Sequence, residues 1–357
     1  MSAYLNTALT VALGCRYPIV QTAMGWVADA NLVIASSQAG AFGFLAGATL
    51  APRQLEAEIK RVIEVTGGSN FGLNFHMFQE NAAQCIDLAI AYRLRAVSYG
   101  RGPDARTIER FKKAGVLCIP TVGALKHAIK AVELGADLIT VQGGEGGGHT
   151  GGVPSTILLP QVLDAVQVPV IAAGGYSTGR GLAGVLASGA AWVAMGTRFL
   201  MTRESPTPLA TLERYVKVTD PQQIRVTTAV DGMRHRLIEN AFINRLERAS
   251  ALGRLRIALG SAWHWKQQTG MSVRHMLSVF AQSLKEDPGA LSQTVMAANQ
   301  PVLLQRSMVE GLPDEGILPS GQVAAAIGEL KSCQQVIDDI VREAERCLMA
   351  VSAPYNL

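Results

Sequence analysis

Cysteine is scarce and scattered: Cys15, Cys85, Cys118, Cys333 and Cys347 are odd in number, far apart and never arranged as C-x-x-C. That spacing argues against a disulfide framework and a thiolate metal site, and it predicts reduced thiols in a cytoplasmic protein. Long hydrophobic runs are missing too. No stretch approaches the roughly 18 apolar residues of a membrane span, and residues 1–17 lack a basic segment followed by an apolar core. Export and membrane insertion are therefore not expected. A net charge of +4 without any block of like charges leaves no electrostatic footprint for nucleic acid. There is no short-period repeat.

What the chain does have is a βα rhythm. Short apolar runs at 18–24, 42–46, 71–76, 96–100, 116–122, 138–143, 169–175 and 192–199 read as strands. Segments of helical length and spacing fill the gaps at 30–37, 55–66, 81–92, 105–114, 124–134, 158–166 and 179–188. Gly115, Gly135 and Gly189 stand just past three of these helices, where a C-terminus favours a residue tolerant of positive φ. Eight strands with crossover helices predict an α/β fold, a (β/α)8 TIM barrel. After about Ser205 no clear strand is legible, and long polar side chains, Arg and Met dominate. The expected organisation is a main barrel at 1–207, an inserted small helical domain at 208–300 and a segment at 301–357 that returns to the barrel, with a helix at 323–330 and another near 333–349.

In such a barrel ligands sit at the C-terminal ends of the strands. The candidates there are Ala23, Met24 and Gly25; Asn74 and His76; Ser98; Thr121; Gln142 to His149; Gly174 and Gly175; and Gly196 and Thr197. The pairs Gly174-Gly175 and Gly196-Thr197 follow the last two strands, where these barrels often hold a phosphate on backbone N–H groups. Met24 and Trp26 suit packing better than chemistry.

The run Gln142-Gly143-Gly144-Glu145-Gly146-Gly147-Gly148-His149-Thr150-Gly151 is the most informative stretch. Gly146, Gly148 and Gly151 satisfy G-x-G-x-x-G, but no helix opens there and no acid follows at the dinucleotide spacing, so this is not that fingerprint. Bare backbone beside a planar ligand explains it better. His149 then becomes a proton-handling group, since an imidazole, with its ordinary pKa of about 6.5, can take or give a proton near neutrality. His76 is a candidate for substrate contact. From Arg214 to Arg274 basic side chains outnumber acids; most suit a solvated helix face, and a subset suits an anionic tail such as the phosphates of coenzyme A. No metal site is expected.

Five motifs in order, Pro18-Ile19-Val20-Gln21-Thr22-Ala23-Met24-Gly25-Trp26-Val27, Phe71-Gly72-Leu73-Asn74, the Gln142 run, Pro169-Val170-Ile171-Ala172-Ala173-Gly174-Gly175 with Gly179-Arg180-Gly181, and Met195-Gly196-Thr197-Arg198-Phe199-Leu200, resemble the nitronate monooxygenase (2-nitropropane dioxygenase-like) superfamily. The resemblance implies an FMN-binding TIM barrel with a small helical domain. It places Ala23, Met24 and Gly25 at the flavin ring, Asn74, Gln142 and Gly147 among the flavin contacts, Gly174, Gly175, Gly196 and Thr197 at the phosphate, and His149 as the active-site histidine. The form of the glycine run, with Val230-Asp231-Gly232-Met233-Arg234-His235-Arg236, Met296-Ala297-Ala298-Asn299 and Gly316 to Gln322, is most similar to a branch acting on steroid C- and D-ring acyl-CoA intermediates in bacteria. That branch makes Arg234, Ser320, Gly321 and Gln322 candidate substrate contacts.

The expected activity is a flavin-dependent oxidoreductase working α,β to the carbonyl of a bulky acyl-CoA, with hydride exchanged at flavin N5 and a proton handled by His149. Nitronate monooxygenation with O2, and NAD(P)H-dependent quinone or enoyl-thioester reduction, are the alternatives; the last would make NAD(P)H an electron partner. A passive flavin holder would have no use for His149. A homo-oligomer is compatible with the sequence.

Overall fold

The computed structural model describes residues 5–250 and 299–352 apart from Phe78 and Arg101, together with Gly253, Arg256, Ile257 and Gly260. The expected motif residues Met296, Ala297 and Ala298, and the basic residues Arg254, Lys266 and Arg274, lie outside the described residues.

The strands are β1 (Ile19–Gln21), β2 (Phe42–Ala46), β3 (Phe71–Phe75), β4 (Ala96–Tyr99), β5 (Leu117–Val122), β6 (Ile139–Gln142), β7 (Gly148–His149), β8 (Val170–Ala173), β9 (Trp192–Met195), β10 (Ile224–Thr227) and β11 (His235–Ile238). All but β7, β10 and β11 form one closed barrel in chain order, β9 pairing back onto β1, with every neighbour parallel. This is the expected (β/α)8 architecture. The helices of this part are α1 (Ala8–Ala12), α2 (Ala30–Gln38), α3 (Pro52–Thr66), α4 (Ala82–Ala91), α5 (Ala105–Lys113), α6 (Leu125–Glu133), α7 (Ser155–Ala165), α8 (Gly179–Ala187) and α9 (Thr197–Leu200). Asp29, Asp104 and Thr178 cap α2, α5 and α8 by accepting a backbone N–H of the first turn.

Strand alternation sorts the side chains of β3 into two layers. Phe71, Leu73 and Phe75 pack outward with the helix residues Leu55, Ile59, Val62 and Ile86. The alternate residues, Gly72 and Asn74, belong to the opposite face. A Cβ at Gly72 would stand 2.6 Å from the ring of Phe44 and 2.5 Å from the carbonyl oxygen of Ala96, so glycine is what lets Phe44 pack with Phe42, Trp192 and Ile171 in the second core. The ring centroids of Phe42 and Phe44 are 5.1 Å apart, edge on.

Two compact units emerge from the chain: residues 1–146, 150–206 and 326–357 form one, and 147–149 with 207–325 form the other. Residues 301–325 thus group with the second unit. In the first, the helix after the second unit packs on α8, where Gly179 allows close approach to the backbone at Ile340 and Ala344 and donates its N–H to Glu343 at 2.8 Å.

The second unit contains α10 (Leu209–Val216), α11 (Ala241–Arg248) and α12 (Asn299–Met308), and the returning helix of the first is α13 (Cys333–Ser352). The expectation of no strand after Ser205 is corrected here: β10, β11 and β7 make an antiparallel sheet in that order. Its strands escaped notice because they are four residues or fewer and find partners only across long sequence separations. Residues 323–330 also differ from the helix expected there. Only a 3-10 turn, Gln322–Ala326, forms, with the Ala324 N–H reaching back to Gly321. The strand expected to run to Phe199 stops at Met195, where Gly196 opens α9 and accepts the N–H of Leu200. No described helix is long and apolar enough to cross a membrane.

Candidate active site

Burial changes abruptly at the C-terminal ends of the barrel strands. β1, β8 and β9 are buried throughout, yet Thr22 to Trp26, Gly174 and Gly196 are half-buried and Gly175 is exposed. Ala23, Met24 and Gly25 therefore sit in an accessible row beyond β1. Trp26 closes it with φ of 61°, a left-handed backbone that bulky residues rarely adopt, and its N–H is held by Thr49 at 3.2 Å. Sequence reading took Trp26 as better suited to packing than to chemistry; its half-burial makes it part of the accessible turn.

Asn74 ends β3 with its amide nitrogen donating to the carbonyl and hydroxyl oxygens of Ser98, both at 3.1 Å. These bonds leave its Oδ1 unengaged by Ser98. His76 follows, its Nδ1 3.3 Å from the Gly100 carbonyl, so it ties the loop after β3 to that after β4. Thr197 is the buried first residue of α9. Arg198, next to it, is turned inward onto the carbonyls of Met201 and Glu329, and burial pulls its pKa down to about 10. It serves the chain and not a phosphate.

The glycine run folds back on itself. Gly143 donates to Ala173, Gly144 to Val153, and Gly146 to Gly143. Glu145, unassigned by sequence reasoning, accepts the N–H of Ser155 at 3.0 Å and its hydroxyl at 2.9 Å, which caps α7. A Cβ at Gly174, where φ is 99°, would lie 2.9 Å from the Gly143 oxygen, so the loops after β6 and β8 meet backbone to backbone. Gln142 lies under Gly146. Several glycines thus answer to the chain's own packing as well. Gly147 shows it best: it groups with the second unit, where a Cβ would be 2.5 Å from the Gly321 nitrogen. The residue it packs on, Ser320, is fully buried and donates its N–H to the Arg236 carbonyl and its hydroxyl to the Gly321 carbonyl, ahead of the half-buried Gln322.

His149 belongs to the second unit, covalently flanked by barrel residues on both sides of the 147–149 excursion. On β7 it stands directly opposite His235 of β11. Their ring centroids are 3.8 Å apart. Both Nε2 atoms lie 2.9 Å from one oxygen, Oδ2 of Asp231. Asp231 and His235 are buried, whereas 39% of the His149 side chain is exposed. Burial would raise the Asp231 pKa, but the hydrogen bonds from His149 and His235 outweigh it and hold the carboxyl well below the usual range. Burial pushes the His235 imidazole down. His149, Asp231 and His235 also present three possible metal-ligand atoms within 4.8 Å of one another. Sequence reasoning missed Asp231 and His235 as functional groups although it quoted their motif; the Asp-x-x-x-His spacing beside Gly232, at φ of 85°, was the available signal. Arg234 is exposed between them.

The sequence profile of the nitronate monooxygenase family matches residues 6–343. A Mycobacterium tuberculosis relative, named (3aS,4S,5R,7aS)-5-hydroxy-7a-methyl-1-oxo-octahydro-1H-indene-4-carboxyl-CoA dehydrogenase, is 44% identical over 352 residues, 98% of this chain and 99% of that protein. A protein of the same name from Rhodococcus jostii is 43% identical over 349 residues, 98% of each chain. Among solved structures, FabK from Thermotoga maritima superposes with a TM-score of 0.79 at 28% identity, covering 98% of this chain and 99% of its own. Profile, full-length relatives and barrel agree: the chain belongs to the nitronate monooxygenase family of flavin-dependent oxidoreductases.

Proposed function

We propose that this protein is an FMN-dependent dehydrogenase that introduces unsaturation α,β to the carbonyl of a bulky, steroid-ring-derived acyl-CoA. Two full-length relatives at 43% and 44% identity carry the name of an indene-carboxyl-CoA dehydrogenase, which supports the substrate class. The observation that carries the chemistry is His149, partly exposed and tied through Nε2 to the anionic Asp231.

The barrel mouth fits a flavin mononucleotide. Gly174, Gly175 and Gly196 bring bare backbone to the ends of β8 and β9, where no Cβ holds phosphate oxygens away. Glu145, whose carboxylate would repel a phosphate near Gly175, is turned onto Ser155. Ala23 and Met24 offer apolar surface to a ring system, and Asn74 and Gln142 offer polar side chains at its edge. Bound flavin supplies the hydride acceptor. His149 takes the proton from the carbon next to the thioester while the hydride leaves the neighbouring carbon, so one C=C bond forms for one hydride and one proton removed. Arg234, exposed beside the histidine cluster, suits a phosphate of the coenzyme A tail, and His76 and Gln322 are further substrate contacts in this reading.

The test is spectral. Purified protein is expected to show FMN absorbance that bleaches anaerobically on addition of the saturated ring acyl-CoA, with an enoyl-CoA released. Bleaching by NADH or NADPH with no response to acyl-CoA would replace this reading by a reductase, and turnover of a nitronate under air by a monooxygenase.

A further inference from the structure

We infer that Asp231 and His235 are positioning residues that lock His149 in its Nε2–H form, so that its proton exchange runs through Nδ1. The inference rests on the reading of His149 as the proton-handling group. It begins with the carboxylate. Asp231 is anionic, so its oxygens only accept. Oδ1 accepts the Met233 N–H at 2.9 Å, closing a local turn, and Oδ2 is approached by two imidazole nitrogens at 2.9 Å each. Both imidazoles must therefore present Nε2–H to it.

His235 decides what kind of cluster this is. Its side chain is 1% exposed, and its Nδ1 is buried without a hydrogen-bond partner among the described residues. A lone pair tolerates that position far better than an N–H, and burial pushes the pKa down, so His235 remains neutral, with its proton on Nε2. It is a fixed donor. Of the two rings only His149 is partly exposed, and its Nε2 faces the Asp231 carboxylate. The sheet register makes the arrangement: His149 and His235 are directly opposed on neighbouring strands, which places both rings on one face.

The same three groups suggest a metal centre, and His235 argues against it. A metal-ligating imidazole nearly always passes its second N–H to an acceptor. With Nε2 on a metal, His235 would bury an N–H at Nδ1 with nothing among the described residues to receive it.

The experiment uses FMN-loaded protein labelled with 15N-histidine. Long-range 1H–15N spectra, with His149→Gln and His235→Asn used to assign the signals, are expected to show both residues as neutral Nε2–H tautomers. Asp231→Asn is expected to shift His149 out of that form and lower kcat about 100-fold or more at little change in KM, while thermal melts of Asp231→Asn and His235→Asn report folding separately. An Nδ1–H tautomer for His149 in the parent protein would overturn the inference. So would one equivalent of divalent metal that Asp231→Asn abolishes. If instead His149→Ala kept full activity with the tautomers as expected, the proposed function would fall and the positioning of the ring would stand.

Discussion

The barrel mouth and the histidine cluster solve opposite problems. At the mouth, the residues that matter have little side chain: Gly174, Gly175 and Gly196 offer backbone, and the nearby Glu145 and Arg198 are turned onto the chain itself. In the second unit the polarity is concentrated, with an anion and two imidazoles packed into one buried corner. Holding a planar, phosphorylated cofactor calls for shape and N–H groups. Moving a proton calls for an ionisable group whose partner fixes where the proton goes. In the proposed function the two units would separate these tasks, so substitutions in each should fail differently.

The largest expected effect lies in the second unit. His149→Ala should lower kcat by about 10³-fold, a barrier increase of about 4 kcal/mol, and retain FMN. Flavin absorbance after gel filtration, read beside anaerobic half-reaction rates, checks both halves. Loss of flavin in this variant would collapse the division of labour.

The converse substitution is Gly174→Ala. With φ of 99° and the Gly143 oxygen 2.9 Å from the new Cβ, it should cost about 1–3 kcal/mol, seen as a lower Tm and weaker FMN retention. The histidine tautomer signals should stay as they are. Glu145→Gln comes next. It removes a charge from the start of α7 and sets an amide against the Ser155 donors, for about 1 kcal/mol in denaturant unfolding.

The two regions also differ in how far they were legible. The barrel shows in sequence because each strand and helix is a contiguous periodic segment and crossovers are local, so all eight barrel strands and the residues ending them were identifiable. His149 stood out through its glycine setting. Its partners did not, because Asp231 is 82 residues away and the contact depends on a two-residue strand pairing with a four-residue one. No periodicity exists over so few residues. The packing role of Gly147 was hidden for a related reason: a glycine needed for contact with Ser320-Gly321 looks, in sequence, like one left bare for a ligand.

The smallest effect is the most specific to the buried corner. His235 has a depressed pKa in the folded protein, so between its unfolded value, about 6.5, and its lower folded value the unfolded chain binds a proton that the native one refuses. Its contribution is present above that range and lost as pH falls through it. Asp231 is also depressed, so its contribution is lost only at lower pH, as the carboxylate protonates below the unfolded value of about 3.9. Stability should therefore decline in two separate steps on acidification. His235→Asn should remove the upper step alone, narrowing the Tm difference between pH 7 and pH 5 by ~2–4 °C, and leave the lower one. Thermal melts across pH decide it: parallel curves for parent and variant would mean that His235 titrates in the fold as it does in water, and that the corner is not dry enough to hold it neutral.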